Sequence, residues 1–318
     1  MTVTETPPYA EGAFRHEALL YAGLDEFTQS TAAFVRGGLE ADEPVLVVVG
    51  AEKIDLLRSA LGVDAARVEF ADMADIGSNP ARIIPAWYDF VAANAETGVR
   101  MRGVGEPIFP ERSPEALVEC QRHESLVNLA FADAEAWWLL CPYDTSALDQ
   151  AVVDEAMASH PYVWADDVHS RSDLYRDLEE IAQPFDHELA EPTVDARDLP
   201  FGVGQLDAVR RAVAREGREH GLSRRRVADL ILAVNEVATN SVRHGGGRGT
   251  LRTWREAEHL VFEVRDGGLL DKPLAGRRRP VAGQEGGFGM WLVYQLCDLV
   301  QVRSFPEGSV VRIHMAIA

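Results

Sequence analysis

The sequence is short of the features that would mark an oxidised, secreted or membrane-embedded chain. It has three cysteines in 318 residues, Cys120, Cys141 and Cys297, an odd set without paired spacing. A disulfide framework needs an even number at close intervals, so these read as reduced thiols. No apolar run approaches the roughly 20 residues that span a bilayer. The opening residues, Thr2-Val-Thr-Glu-Thr-Pro-Pro8, lack both the basic start and the apolar centre of a signal peptide. The expectation is a cytoplasmic protein without membrane contact. Repeats are missing too, and the sole compositional tract is the short Arg277-Arg-Arg279 run, normally a solvated feature.

Positive charge is scarce in the first part. Residues 1 to 200 hold 13 Lys/Arg against 38 Asp/Glu, whereas residues 201 to 318 hold 18 against 13. Direct nucleic-acid binding requires a basic face to neutralise phosphates, and the acidic part offers none. The small excess in the second part suits a nucleotide or an acidic protein surface. What the chain does have is apolar material, 47% of its residues, in a length that exceeds one ordinary domain. Two packed domains are expected.

Along the chain, residues 1–12 read as a flexible arm. A helix is expected from Ala13 to Leu39, with Leu19, Leu20, Leu24, Phe27 and Phe34 on its apolar side. The run Val45-Leu-Val-Val-Val49 reads as a buried strand closed by Gly50. Helices near 83–95 and 113–132 then alternate with strands near 99–103 and 137–141, so residues 13–165 are expected to form a mostly parallel α/β domain. Residues 166–200, rich in acids and broken by Pro184, Pro192 and Pro200, read as a linker with one short helix over 172–181. Residues 201–318 read as an α/β sandwich: helices over 204–220 and 223–244, a strand pair split near Glu256, a Gly/Arg-rich loop, a helix over 289–297, and a strand pair turning at Pro306-Glu-Gly308.

Chemistry concentrates in that last part. On a helix, Glu236 and Asn240 are four residues apart and share a face, which places a proton acceptor beside an amide oxygen able to ligate magnesium. Downstream comes Asp266-Gly-Gly268, where a carboxylate can accept a hydrogen bond from the exocyclic amine of adenine. It is followed by Gly286-Gly287-Phe288-Gly289 at a helix start, where glycines let backbone N–H groups approach phosphates. Together they read as a site for ATP and Mg2+. His244, at the end of the Glu236 helix, is a further pocket candidate.

These three ordered boxes resemble the ATPase domain shared by gyrase, heat-shock chaperones, histidine kinases and mismatch-repair proteins. Within it, the chain looks most like the anti-sigma-factor serine kinases of bacterial partner switching. A histidine kinase needs a phosphoacceptor on a long two-helix hairpin before this domain, but His160, His169 and His187 lie in a proline-broken segment too short for one. The resemblance implies a protein that binds a sigma factor and phosphorylates a serine or threonine on a STAS-domain anti-anti-sigma factor. It also implies pairing into a homodimer through the ATPase domains. A non-catalytic ATP-binding module that sequesters its partner, and an unorthodox sensor histidine kinase, remain as alternatives. The second box is less glycine-rich than the family pattern, since Leu269-Leu270 follow Gly268.

The stretches His16-Glu-Ala-Leu-Leu-Tyr21, Arg122-His-Glu124 and Leu140-Cys-Pro-Tyr-Asp144 resemble the MEDS sensory domain, named for methanogens and methylotrophs. The resemblance implies detection of a small organic effector. Its polar and soft residues, His16, Cys120, His123, Glu124 and Cys141, form a candidate set for a transition metal or a small effector, with Cys120 and His123 three apart on a helix. Buried thiols and hydrogen-bonded core histidines would account for the same residues. Gly50-Ala-Glu-Lys53 lacks the glycine spacing and the Lys-Ser/Thr pair of a phosphate loop.

Overall fold

The computed structural model describes residues 14–134, 137–176, 187–280 and 287–317. The chain divides into two compact units, Met1–Gln183 and Pro184–Ala318.

The first unit runs β1 (Arg15–Tyr21), α1 (Gly23–Glu40), β2 (Val45–Val49), α2 (Ala51–Leu61), β3 (Glu69–Asp72), α3 (Met73–Ile76), α4 (Ile83–Asn94), β4 (Met101–Gly105), α5 (Pro114–Ala130), β5 (Trp137–Asp144), α6 (Gln150–Ser159), β6 (Tyr162–Ala165) and β7 (Val168–Arg171). Its strands form one sheet in the order β3-β2-β4-β5-β1-β6-β7. Every neighbouring pair is parallel except the β6–β7 hairpin. Parallel strands joined by helical crossovers are covered on both faces, so their sequences are continuously apolar. All five residues of β2 and all five of β4 are buried. Phe27, Phe34 and Leu57 from α1 and α2 belong to one core cluster with Val47, Val49 and Leu140. On β4, a β-carbon at Gly105 would fall 2.8 Å from the Trp87 ring of α4, so the missing side chain makes room for the indole.

The first expected helix is corrected by this sheet. Residues 15–21 are not helical: they form the strand between β5 and β6, and the helix starts only at Gly23, whose φ of 81° turns the chain. Six of the seven β1 residues are buried. A strand buried on both faces shows no alternation, and its leucines imitate a helical face when read together with those of α1.

The second unit runs β8 (Arg197–Gly202), α7 (Leu206–Glu219), α8 (Arg224–His244), β9 (Arg248–Glu256), β10 (His259–Asp266), α9 (Phe288–Leu296), β11 (Leu299–Phe305) and β12 (Gly308–Ala316). Its sheet is antiparallel, in the order β11-β12-β10-β9-β8. On β10, Leu260, Phe262 and Val264 alternate with Val261 and Glu263, so they occupy opposite faces. Glu263 is fully buried and takes Arg252, Arg265 and Arg312 as partners, which offsets the cost of burying its charge.

Residues 166–200 contain more structure than a linker. Val168–Arg171 pairs with β6, Glu191 bonds Arg252 and Arg265, and β8 opens at Arg197. Of the helix expected over 172–181, residues 177–181 lie outside the described residues, and Asp173 and Leu174 form a turn. Among the described residues no helix is long and apolar enough to cross a membrane.

The core assignment of β5 is directly testable. Leu140 is fully buried on this central strand, and Leu140→Ala is expected to cost about 2–5 kcal/mol in urea-induced unfolding. A loss below about 0.5 kcal/mol, the range of surface substitutions, would remove β5 from the core.

Candidate functional site

In the second unit the site is organised by α8. Ser223 caps the helix, its Oγ accepting from the Arg226 N–H, and Val227, Leu230, Val234, Val237, Ala238 and Ser241 are buried at helical intervals. That packing fixes the rotation of the helix and leaves Glu236 and Asn240 half-buried along its edge. They face Gly289 in the first turn of α9. A β-carbon there would stand 3.1 Å from Glu236 Oε2 and 3.5 Å from Asn240 Nδ2, so the glycine keeps the space beside both side chains open. Gly287 precedes α9 with φ 88°, a left-handed conformation that favours glycine. The first and third sequence boxes therefore meet. Gly286 lies outside the described residues.

Asp266, at the end of β10, closes the opposite side. Its Oδ2 accepts from Ser241 Oγ at 2.5 Å, and its Oδ1 accepts from the Gly268 N–H at 2.8 Å and Ser309 Oγ at 3.0 Å. A carboxylate offers about four acceptor positions, so one is left on Oδ2. Gly268 sits where a β-carbon would come within 2.9 Å of the His244 carbonyl and 3.0 Å of Gly245 Cα. His244 enters this contact through its backbone; its side chain is exposed at the end of α8. Asn235 faces α7, its Oδ1 accepting from Arg210 Nη1 at 2.7 Å. Ser241 and Ser309 were not legible as site residues, because a lone serine carries no spacing signal.

The arginine run between the second and third boxes is divided. Arg277 is buried, with its guanidinium 5.6 Å from the Tyr294 ring on α9, whereas Arg278 and Arg279 are exposed. Gly276, at φ 74°, lies so close to Met290 that a β-carbon would be 2.7 Å from its backbone.

In the first unit, His16 and Cys141 come together on neighbouring strands, with His16 Nε2 3.3 Å from Cys141 Sγ. Glu124 and His160 complete a fully buried group with them. Burial lowers both imidazoles, His16 and His160, to about 3, and pushes the Glu124 carboxyl and the Cys141 thiol upward. Cys120 and His123 are buried on α5 but stand outside this group, Cys120 donating to the Pro107 carbonyl. Lys53 does not cradle an anion: its Nζ donates to Glu106 and Tyr21 at 2.6 Å each. Burial raises both of those acids, the Tyr21 phenol and the Glu106 carboxyl.

An antiparallel sheet carrying an acid/amide helix opposite a glycine-led helix is the α/β sandwich of a nucleotide-handling domain, joined here to a doubly covered parallel sheet. Family comparison agrees in both halves: residues 15–161 match the MEDS model, described as the methanogen/methylotroph, DcmR sensory domain, and residues 199–315 match the histidine kinase-like ATPase domain. The chain thus joins an N-terminal MEDS domain to a C-terminal histidine kinase-like ATPase domain. Among solved structures, the RsbU and RsbW domains of Rv1364c from Mycobacterium tuberculosis are 14% identical, with a TM-score of 0.30, over 39% of this chain and 32% of that one. The Acinetobacter baumannii histidine kinase AdeS is 12% identical, with a TM-score of 0.22, over 39% of this chain and 69% of that one. The chain therefore spans about a third of the first of these proteins. No curated protein matches it in sequence.

The close approach at Gly268 has a measurable consequence. Gly268→Ala forces its methyl against backbone and is expected to lower stability by about 1–3 kcal/mol in thermal unfolding. At Gly267 the nearest atom to a β-carbon is 3.8 Å away, an ordinary contact, so Gly267→Ala should cost less. Equal losses at the two positions would refute the contact between the Asp266 loop and α8.

Proposed function

We propose that the C-terminal domain binds ATP with magnesium and acts as a switchable anti-sigma factor and serine/threonine protein kinase, under control of the MEDS domain. The observation that carries the reading is the meeting of Glu236, Asn240 and Gly289 on one side of α8 with Asp266 pinned on the other. The vacant acceptor position on Asp266 Oδ2 suits the amine of adenine, and Gly268 allows the ring to lie close to the backbone. Gly287 and Gly289 stand at the start of α9, whose unpaired N–H groups and dipole favour phosphate oxygens, and Gly286 precedes them in the sequence. Asn240 Oδ1 can supply one oxygen of a magnesium shell completed by phosphates and water.

In this reading Glu236 is the base. The substrate hydroxyl oxygen attacks the γ-phosphorus while its proton passes to Glu236, and the bond to the β,γ-bridging oxygen breaks to release ADP. His244 borders the pocket through its carbonyl. The placement of the histidines favours serine or threonine over histidine as acceptor: His160 is fully buried beyond α6, and His169 is held on β7 by Glu17 at 2.9 Å. Neither stands on a helical hairpin. The partners by this reading are a sigma factor and a STAS-domain anti-anti-sigma factor in the cytoplasm, with a homodimer formed through the ATPase domains and a small-molecule effector acting on the MEDS domain. The arginines of α7 and α8 suit an acidic partner surface.

The test is phosphotransfer from γ-labelled ATP to STAS-domain proteins. The expected product is stable to acid, and Glu236→Gln should slow its formation about 10²–10⁴-fold. An acid-labile product would assign histidine kinase chemistry. Absence of any phosphoprotein while ATP still binds would leave a sequestering module.

A further inference from the structure

The buried group in the MEDS domain belongs to the other unit of the chain, and the inference from it does not rest on the chemistry proposed above. His16 on β1, Glu124 on α5, Cys141 on β5 and His160 just beyond α6 each direct one donor atom to a common point, the four donors lying within 4.8 Å of one another. His16 Nε2 is 3.2 Å from Glu124 Oε2 and 3.3 Å from Cys141 Sγ. Glu124 Oε2 is 3.5 Å from Cys141 Sγ and 3.6 Å from His160 Nε2. A tetrahedral zinc ion with bonds of about 2.0–2.3 Å to nitrogen, oxygen and sulfur has ligand-to-ligand edges of about 3.3–3.6 Å. The four separations given above match such a shell to within about 0.1 Å, and all four donors lie within 4.8 Å of one another.

Hydrogen bonds outside the group fix the direction of its lone pairs. Asn128 Nδ2 donates to the Ser159 carbonyl at 2.7 Å, which turns Asn128 Oδ1 towards His16 Nδ1 at 3.1 Å. His160 Nδ1 is 2.7 Å from the Ala156 carbonyl. Both acceptors are oxygens without protons, so each ring carries its hydrogen on Nδ1 and aims the Nε2 lone pair inward, the tautomer of a metal-ligating histidine. Two charged rings with centroids 3.9 Å apart in a dry core would repel, so a proton on each Nε2 is not a solution. His160 Nε2 is fully buried and has no hydrogen-bond partner. Buried polar atoms are almost always satisfied, and an inward Nε2 lone pair without a hydrogen donor is one that a cation would satisfy.

We propose that the MEDS domain binds a zinc-class divalent ion through His16, Glu124, Cys141 and His160. Two nitrogens, one oxygen and one thiolate suit a borderline ion. Four protein donors, all buried, leave no open coordination position, so the ion would tie β1, β5, α5 and the end of α6 together and take no part in catalysis. Occupancy would then be linked to the order of the whole sensory domain.

The full-length chain provides the test. Elemental analysis of protein purified without chelator should find about one zinc per chain, and chelation should lower the melting temperature until zinc is restored. After removal of zinc, cobalt(II) should produce the visible bands of a tetrahedral ion and a thiolate charge-transfer band. Cys120→Ser, a buried thiol outside the group, should keep that band and Cys141→Ser should abolish it. If Cys141→Ser does not fold, the wild-type spectrum and melting shift decide. A folded wild type that takes up neither zinc nor cobalt overturns the proposal, as does a charge-transfer band that survives Cys141→Ser or disappears with Cys120→Ser.

Discussion

The Asp266 carboxylate joins three parts of the ATPase domain that are distant in sequence. It takes a hydroxyl from Ser241 on α8, an amide from its own loop at Gly268, and a hydroxyl from Ser309 on β12. Hydrogen bonds to a charged acceptor are roughly twice as strong as neutral ones, and three on one side chain define its position closely. Because Ser241 directly follows Asn240, the same bond that orients Asp266 sets the depth of the helix bearing Glu236 and Asn240. The glycines follow from this contact: a β-carbon at Gly245 would stand 2.6 Å from Asp266 Oδ1 and 2.7 Å from the Ser241 carbonyl, and one at Gly268 would stand 3.0 Å from Asp266 Oδ1 and from Gly245 Cα. The proposed adenine and phosphate ends of the pocket are thereby held in register by one residue.

Each domain buries a carboxylate among arginines. Glu263 sits inside the second sheet among three arginines, and Glu43 accepts from Arg100 and Arg102 at the rim of the first. These networks are satisfied and structural. The His16 group differs because four potential metal-donor atoms lie within 4.8 Å of one another and His160 Nε2 among them has no hydrogen-bond partner. That convergence, rather than the presence of histidine and cysteine as such, is what supports the proposed metal shell.

Signals carried by short spacings were legible in the sequence. Glu236 and Asn240 share a helix face at four residues apart, and the glycine boxes stand next to the elements they start or end. The parallel arrangement of the first sheet followed from strands alternating with helices. β1 was misread because burial on both faces removes the alternation that marks a strand, and β7 and β8 were hidden in an acidic, proline-rich stretch. The His16 group was half legible. His16, Glu124 and Cys141 stood out by type, but the separation between His16 and His160 is closed only by the parallel pairing of β1 with β5 and β6. No local pattern reports such a contact. Cys120 and His123, three apart on one helix, offered a more visible pairing, and neither belongs to the His16 group.

The proposed ATP–magnesium site lies between α8, Asp266 and the start of α9. Calorimetric titration of the wild type and Asn240→Ala with ATP, with and without magnesium, tests it most directly. Magnesium-dependent binding by the wild type is expected, weakened in Asn240→Ala to the level seen without the metal. Wild-type binding that is absent, or equal in the variant at every magnesium concentration, would contradict it.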